Sequence, residues 1–118
     1  MNPDRAFTIQ TIQLIADTEA QKRYEIDVPI ADVPSELVCQ WFDDVYKPEN
    51  GSYREAFTSH ELEIFADFNA FYDSLVDHLP ETLEEMHRCY AWKQIAGKAE
   101  WVLAVLNWEG LNAVPSYS

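Results

Sequence analysis

At 118 residues, 47% of them apolar, the chain has the length of one domain and enough apolar material for one packed core without metal or disulfide support. Its 21 acids against 8 bases give a formal charge of −13, a field that repels nucleic acid and anionic membrane and attracts basic proteins. An aromatic content of 14%, with four Trp and clear helical periodicity, excludes the disordered acidic class.

Residues 6–30 read as a β-hairpin. Phe7 and Ile9 share one parity and Ile12 and Leu14 the other, the pattern of a strand with a bulge near Gln10 and Thr11. Tyr24, Ile26, Val28 and Ile30 then alternate with Glu25 and Asp27, the clearest strand pattern in the chain, and Asp17 to Lys22 supplies the turn. Pro29 has no N–H for a ladder, so this strand is expected at an edge or ending there. A lone hairpin is marginal, so its apolar face must lie on the helices or its edge must pair with another chain.

A helix is expected over 34–46, opened by Asp32 or Ser35 and Pro34 and carrying Leu37, Val38, Trp41, Phe42, Val45 and Tyr46 on its inner side. Glu36, Gln40, Asp43 and Asp44 occupy its outer side. Lys47 to Thr58 is dense in turn formers and reads as loop. Thr58 and Glu61 form a capping box that starts a long helix at 59–79, closed by Pro80.

That long helix carries an unusual charge pattern. Leu62, Ile64, Phe65, Phe68, Phe71, Tyr72, Leu75, Val76 and Leu79 fill one half of the cylinder, while Glu63, Asp67, Asp73 and Asp77 lie on the other with no basic residue among them. The pairs Glu63/Asp67 and Asp73/Asp77, each four residues apart, cost roughly 0.2 to 0.5 kcal/mol apiece. A surface selected for stability alone would place Lys between them. The charge extends along the chain, since residues 17–85 hold 18 acids and 4 bases while the two ends together hold 3 acids and 4 bases.

Short helices at 81–88 and 92–108 follow, with a break near Cys89 to Ala91, and Gly110 ends the last one before a tail at 110–118. From Trp101 onward that helix is apolar nearly all round, so Trp101, Val105 and Trp108 form a face that is either covered by the hairpin or used in self-association. The expected fold is therefore α+β, mainly α: one domain with an N-terminal hairpin and three or four amphipathic helices in a small bundle, the last helix near its centre.

Catalytic and metal motifs are incomplete. Glu84 and His87 have the Glu-x-x-His spacing of a di-iron site, but such a site needs a second pair and further helical Glu, and the last helix offers only Glu100 and Glu109. Capping accounts for Glu61 beside His60 and Glu63, and the dipole of a helix C-terminus suits His78. Cys39 and Cys89 are too few for a disulfide framework and read as small core or boundary residues. Gly51, Gly97 and Gly110 are too far apart for a phosphate loop. No cofactor, no metal and no enzymatic reaction is expected.

The sequence points instead to an acidic protein-binding module of inhibitor, immunity or adaptor type. Asp43, Asp44, Glu63, Asp67, Asp73 and Asp77 would occupy a basic groove on a protein partner, with Tyr53 or Trp41 as the anchor if exposed. The alternative is a homodimer or complex subunit associating through Trp101, Val105 and Trp108. Neither direct nucleic-acid binding nor membrane insertion is expected. The start Met1 to Arg5 has no signal-like apolar run and no stretch approaches the ~18 apolar residues of a span, which points to the cytoplasm.

Overall fold

Asn2 opens the first helix. Its Oδ1 accepts the Asp4 N–H at 2.8 Å and the Arg5 N–H at 3.4 Å, and Pro3 follows in the first turn. The computed structural model describes residues 2–108, and among these the chain forms seven α-helices and no strand. They are α1 (Pro3–Ala16), α2 (Thr18–Asp27), α3 (Val33–Cys39), α4 (Gly51–Glu55), α5 (Ser59–Leu75), α6 (Leu83–Arg88) and α7 (Tyr90–Val105). The fold is helical, not α+β. The expected tail at 110–118, with Gly110 and Glu109, lies outside the described residues.

The expected hairpin at 6–30 is α1 and α2. The parity switch taken for a bulge is helical spacing: Ile9, Ile12 and Ile15 are all fully buried. Each β-branched residue costs a helix a few tenths of a kcal/mol, whereas burying an Ile side chain contributes roughly 2 kcal/mol, so packing overrides propensity. The buried Thr8 hydroxyl is satisfied by donating to Asp4 O at 2.8 Å.

The expected β-turn is a helix corner. Asp17 donates its N–H to Leu14 O at 3.2 Å, ending α1, and its Oδ1 accepts the Ala20 N–H at 3.0 Å, starting α2. Gln21, fully buried, donates Nε2 back to Leu14 O at 2.8 Å, sharing that carbonyl with the Asp17 N–H, and to Ile15 O at 3.0 Å, at the end of α1 where carbonyls lack intrahelical partners. Of the residues taken for the inner strand face, only Tyr24 is partly covered in the way expected, with its hydroxyl donating to Glu36 Oε2 of α3. Ile26, Val28 and Ile30 are exposed.

The helix expected at 34–46 is α3 followed by a π-helical segment, Gln40–Val45. This wider turn closes with Tyr46 N–H donating to Trp41 O at 2.9 Å. It seats Trp41, fully buried, against Phe68 at 4.9 Å and stacks it on Tyr46 at 5.1 Å, with Trp41 Nε1 donating to Asn69 Oδ1 at 3.1 Å. The expected loop at 47–58 contains α4, capped by Asn50 Oδ1 on the Tyr53 N–H at 3.0 Å.

The Thr58 capping box is present: Thr58 Oγ1 accepts the Glu61 N–H at 3.1 Å and Glu61 Oε1 accepts the Thr58 N–H at 2.9 Å. Helix α5 tightens into a 3-10 turn at Val76–His78 before Pro80. Cys89 separates α6 from α7 as expected. Helix α7 packs between α1 and α5, so α1 takes the place on α7 foreseen for the hairpin.

Candidate protein-binding surface

Helix α5 is held on two flanks. On one, Asn69 and Tyr72 meet Trp41, Leu37 and Phe42 of the α3 segment, with the Tyr72 hydroxyl donating to Leu37 O at 3.2 Å. On the other, Lys98 of α7 reaches Asp67 Oδ2 at 2.9 Å. Between these flanks the outer arc of α5 is left to solvent, and Glu63, Asp67, Asp73 and Asp77 are all exposed, as are Asp43 and Asp44.

The structure changes the charge of that arc at one point. Lys98 is absent from α5 itself but supplies a cation from 31 residues away, and its Nζ also lies 3.9 Å from the Trp101 ring centroid and 5.7 Å from that of Phe71. Among the described residues the ion pairs are Arg5–Glu61, Lys22–Glu19, Arg88–Glu84 and Lys98–Asp67. Asp43, Asp44, Glu63, Asp73 and Asp77 enter none of them.

The expected aromatic anchors are core residues. Trp41 is fully buried and Tyr53 is 1% exposed, its phenol pushed to a raised pKa by burial. The face assigned to Trp101, Val105 and Trp108 is divided: Trp101 and Val105 are 39% and 38% exposed, but Trp108 is 3% exposed and sits against Phe65 with ring centroids 5.6 Å apart. A half-buried cation holds Trp108 inward. Arg5 projects from α1 between Trp108 and Phe57, 5.4 and 5.7 Å from their ring centroids, and makes a two-pronged contact with Glu61 at 2.8 and 2.7 Å. Burial works against the Glu61 carboxylate, but Arg5 and the Thr58 N–H outweigh it and hold its carboxyl below the usual range.

His60 and His78 are exposed. His87 is half-buried and engages Gln21 Oε1 at 2.7 Å, while Glu84 reaches toward Arg88 at 3.9 Å, so the Glu-x-x-His residues serve separate contacts. Among the described residues no group of three or more His, Cys, Asp or Glu could hold a metal ion. Of the two cysteines expected in the core or at its boundary, Cys39 is exposed and Cys89 is at the boundary. Among the same residues no helix is long and apolar enough to cross a membrane.

Sequence reasoning missed Lys98 as the neutraliser of Asp67, Arg5 as the partner of Glu61, and Gln21 as a buried bridge. Each is a contact across at least one turn of the fold, with no local signal to find it. No protein-family model matches the chain, and no curated protein or solved structure matches it.

Proposed function

We propose that the protein is a small acidic protein-binding module, of inhibitor, immunity or adaptor type, that docks onto a basic surface of another protein. The observation that carries this is the set Asp43, Asp44, Glu63, Asp73 and Asp77: five exposed carboxylates with no ion pair among the described residues. Two of them, Asp73 near the end of α5 and Asp77 in the 3-10 turn that follows it, are like charges four residues apart. Such a field steers a basic partner and gives fast, salt-sensitive association. The exposed thiol of Cys39 suits a reducing compartment, and we place the protein in the cytoplasm.

The test is partner capture on the immobilised chain at about 50 mM and about 500 mM salt, spanning strong and weak screening. Captured proteins should be basic, should be lost at the higher salt, and should be lost at the lower salt from the Asp73→Lys/Asp77→Lys variant. Capture that survives both changes would remove the electrostatic basis.

A further inference from the structure

With Trp41 and Tyr53 in the core, a binding surface needs another apolar anchor, and the exposed hydrophobics are not spread evenly. They are Phe7, Ile26, Val28, Ile30, Tyr90, Trp101 and Val105. Three of the seven fall within five consecutive residues at the end of α2. Single exposed hydrophobics are ordinary; a local concentration of them is not.

The backbone there is well defined. Val28 caps the end of α2 by donating its N–H to Tyr24 O at 2.9 Å, and the Ala31 N–H donates to Val28 O at 2.9 Å. Val28, Pro29, Ile30 and Ala31 thus form a β-turn with Pro29 at its second position, where the ring sets φ, and Ile30 at its third. That third position usually takes a small or polar residue. Here it carries an Ile that is 97% exposed, with Ile26, 74% exposed, four residues before it. The base of the turn is anchored by buried Val33 and Pro34 and by the Tyr24 to Glu36 hydrogen bond.

Beside the turn lies a cleft of about 460 Å³, lined by Glu25, Ala31, Asp32, Val33, Pro34 and the chain entering α6, Glu81 to Glu84. Its floor includes buried Val33 and Leu83. Two of its carboxylates have structural duties, because Asp32 caps α3 and Glu84 sits in the first turn of α6. Glu25 and Glu81 have neither duty and enter no ion pair among the described residues. Of the cations on α2, Lys22 is taken up by Glu19 at 3.6 Å.

We infer that the Val28–Ala31 turn and the adjoining cleft form a docking site for a cationic amphipathic segment of a partner protein. Ile30, supported by Val28 and Ile26, supplies the apolar anchor, and a Lys or Arg of the segment enters the cleft between Glu25 and Glu81. Charge complementarity selects this occupant over a second copy of the chain, which would bring Glu25, Asp27, Asp32 and Glu81 against their own like charges. A turn already fixed by Pro29 loses little freedom on binding. The site lies on residues distinct from the acidic arc of α5.

The probe is a helical peptide of about 14 residues built from Leu and Lys with its leucines on one face, beside a Leu/Glu counterpart and an oligolysine of equal charge. Dissociation constants are measured by fluorescence anisotropy on the full chain. The Leu/Lys peptide should bind, Ile26→Ser/Ile30→Ser should weaken it at least tenfold, and Glu25→Gln/Glu81→Gln should weaken it severalfold. Both pairs of residues are exposed, so an unchanged urea midpoint is expected and checks the fold. Absence of Leu/Lys binding, equal binding of oligolysine, or indifference to the Ile26/Ile30 change would overturn the site. So would a wild-type dimer, seen by light scattering, that the same change dissolves. The Asp73→Lys/Asp77→Lys variant separates the two proposals: it should leave the dependence on Ile30 intact even where the acidic arc proves irrelevant to partner capture.

Discussion

Replacing Arg5 by Ala removes the cation that joins α1, the start of α5 and Trp108. Three kinds of contact go with it: two charged hydrogen bonds to Glu61 at 2.8 and 2.7 Å, one to Ala56 O at 3.3 Å, and the approach to the Phe57 and Trp108 rings. Removing one partner of a fully buried pair costs about 3 to 5 kcal/mol, because the other charge is stranded. Glu61 is nearly enclosed, with a side chain 9% exposed, but that of Arg5 is 29% exposed, so water already shares its solvation. The stranded Glu61 also keeps the Thr58 N–H at 2.9 Å. Together these place Arg5→Ala at about 2 to 3 kcal/mol at pH 7, just below the buried-pair range. The assay is urea unfolding of both proteins across pH 7 to pH 3. Glu61 titrates below its ordinary range in the folded state, so its contribution is full above the unfolded carboxyl value and is lost as pH falls through the folded one. The gap between wild type and Arg5→Ala should therefore narrow in acid. A cost under about 0.5 kcal/mol at pH 7, the size of an ordinary surface change, or a gap that does not change with pH, would refute the assignment of Arg5–Glu61 as a stabilising, partly buried ion pair.

Three further outcomes follow from the same contacts. Asp73→Lys/Asp77→Lys exchanges an acidic like-charge pair for a basic one but relieves the surrounding acidic excess and places cations near a helix C-terminus, so stability should be unchanged or raised by up to about 0.5 kcal/mol; a loss of more than about 1 kcal/mol by urea unfolding would mean the carboxylates serve the fold. Lys98→Met should cost about 1 kcal/mol, because the side chain gives up both Asp67 and the Trp101 ring, and Asp67→Asn should recover none of that loss. Gln21 spends both amide hydrogens on Leu14 O and Ile15 O, so its Oε1 must accept from His87, and nitrogen NMR should find neutral His87 as the Nε2–H tautomer. Burial, with Lys22 adding to it, holds the His87 pKa below its usual value, so its contribution to stability is full above about pH 6.5 and falls as pH drops through the folded value.

What was legible in the sequence was local. Thr58 and Glu61 close a capping box wherever they meet at this spacing, and Asp32 before Pro34 starts a helix by the same short-range chemistry. The inner faces of α5 and α7 follow from period alone, and the exposure of Glu63, Asp67, Asp73 and Asp77 follows with them. The hairpin was misread because local signals conflicted with long-range ones. Ile9, Ile12 and Ile15 favour strand as single residues, and the elements packed around α1, α7 foremost, make a helix the better way to bury all three. The alternation from Tyr24 to Ile30 marked real apolar residues, but of these only Tyr24 packs against the core, and Ile26, Val28 and Ile30 stay exposed.

The sequence by itself determined the charge, its concentration between residues 17 and 85, the capped starts of α3 and α5, and which residues of α5 face water. Each depends on composition or on neighbours within a few positions. Tertiary structure decided that α1 and α2 are helices, that Trp41, Tyr53 and Trp108 are core, that Lys98 neutralises Asp67, and that Ile26 and Ile30 stay outside. These outcomes turn on which distant surface reaches a side chain first, and burial against that surface outweighs any local preference.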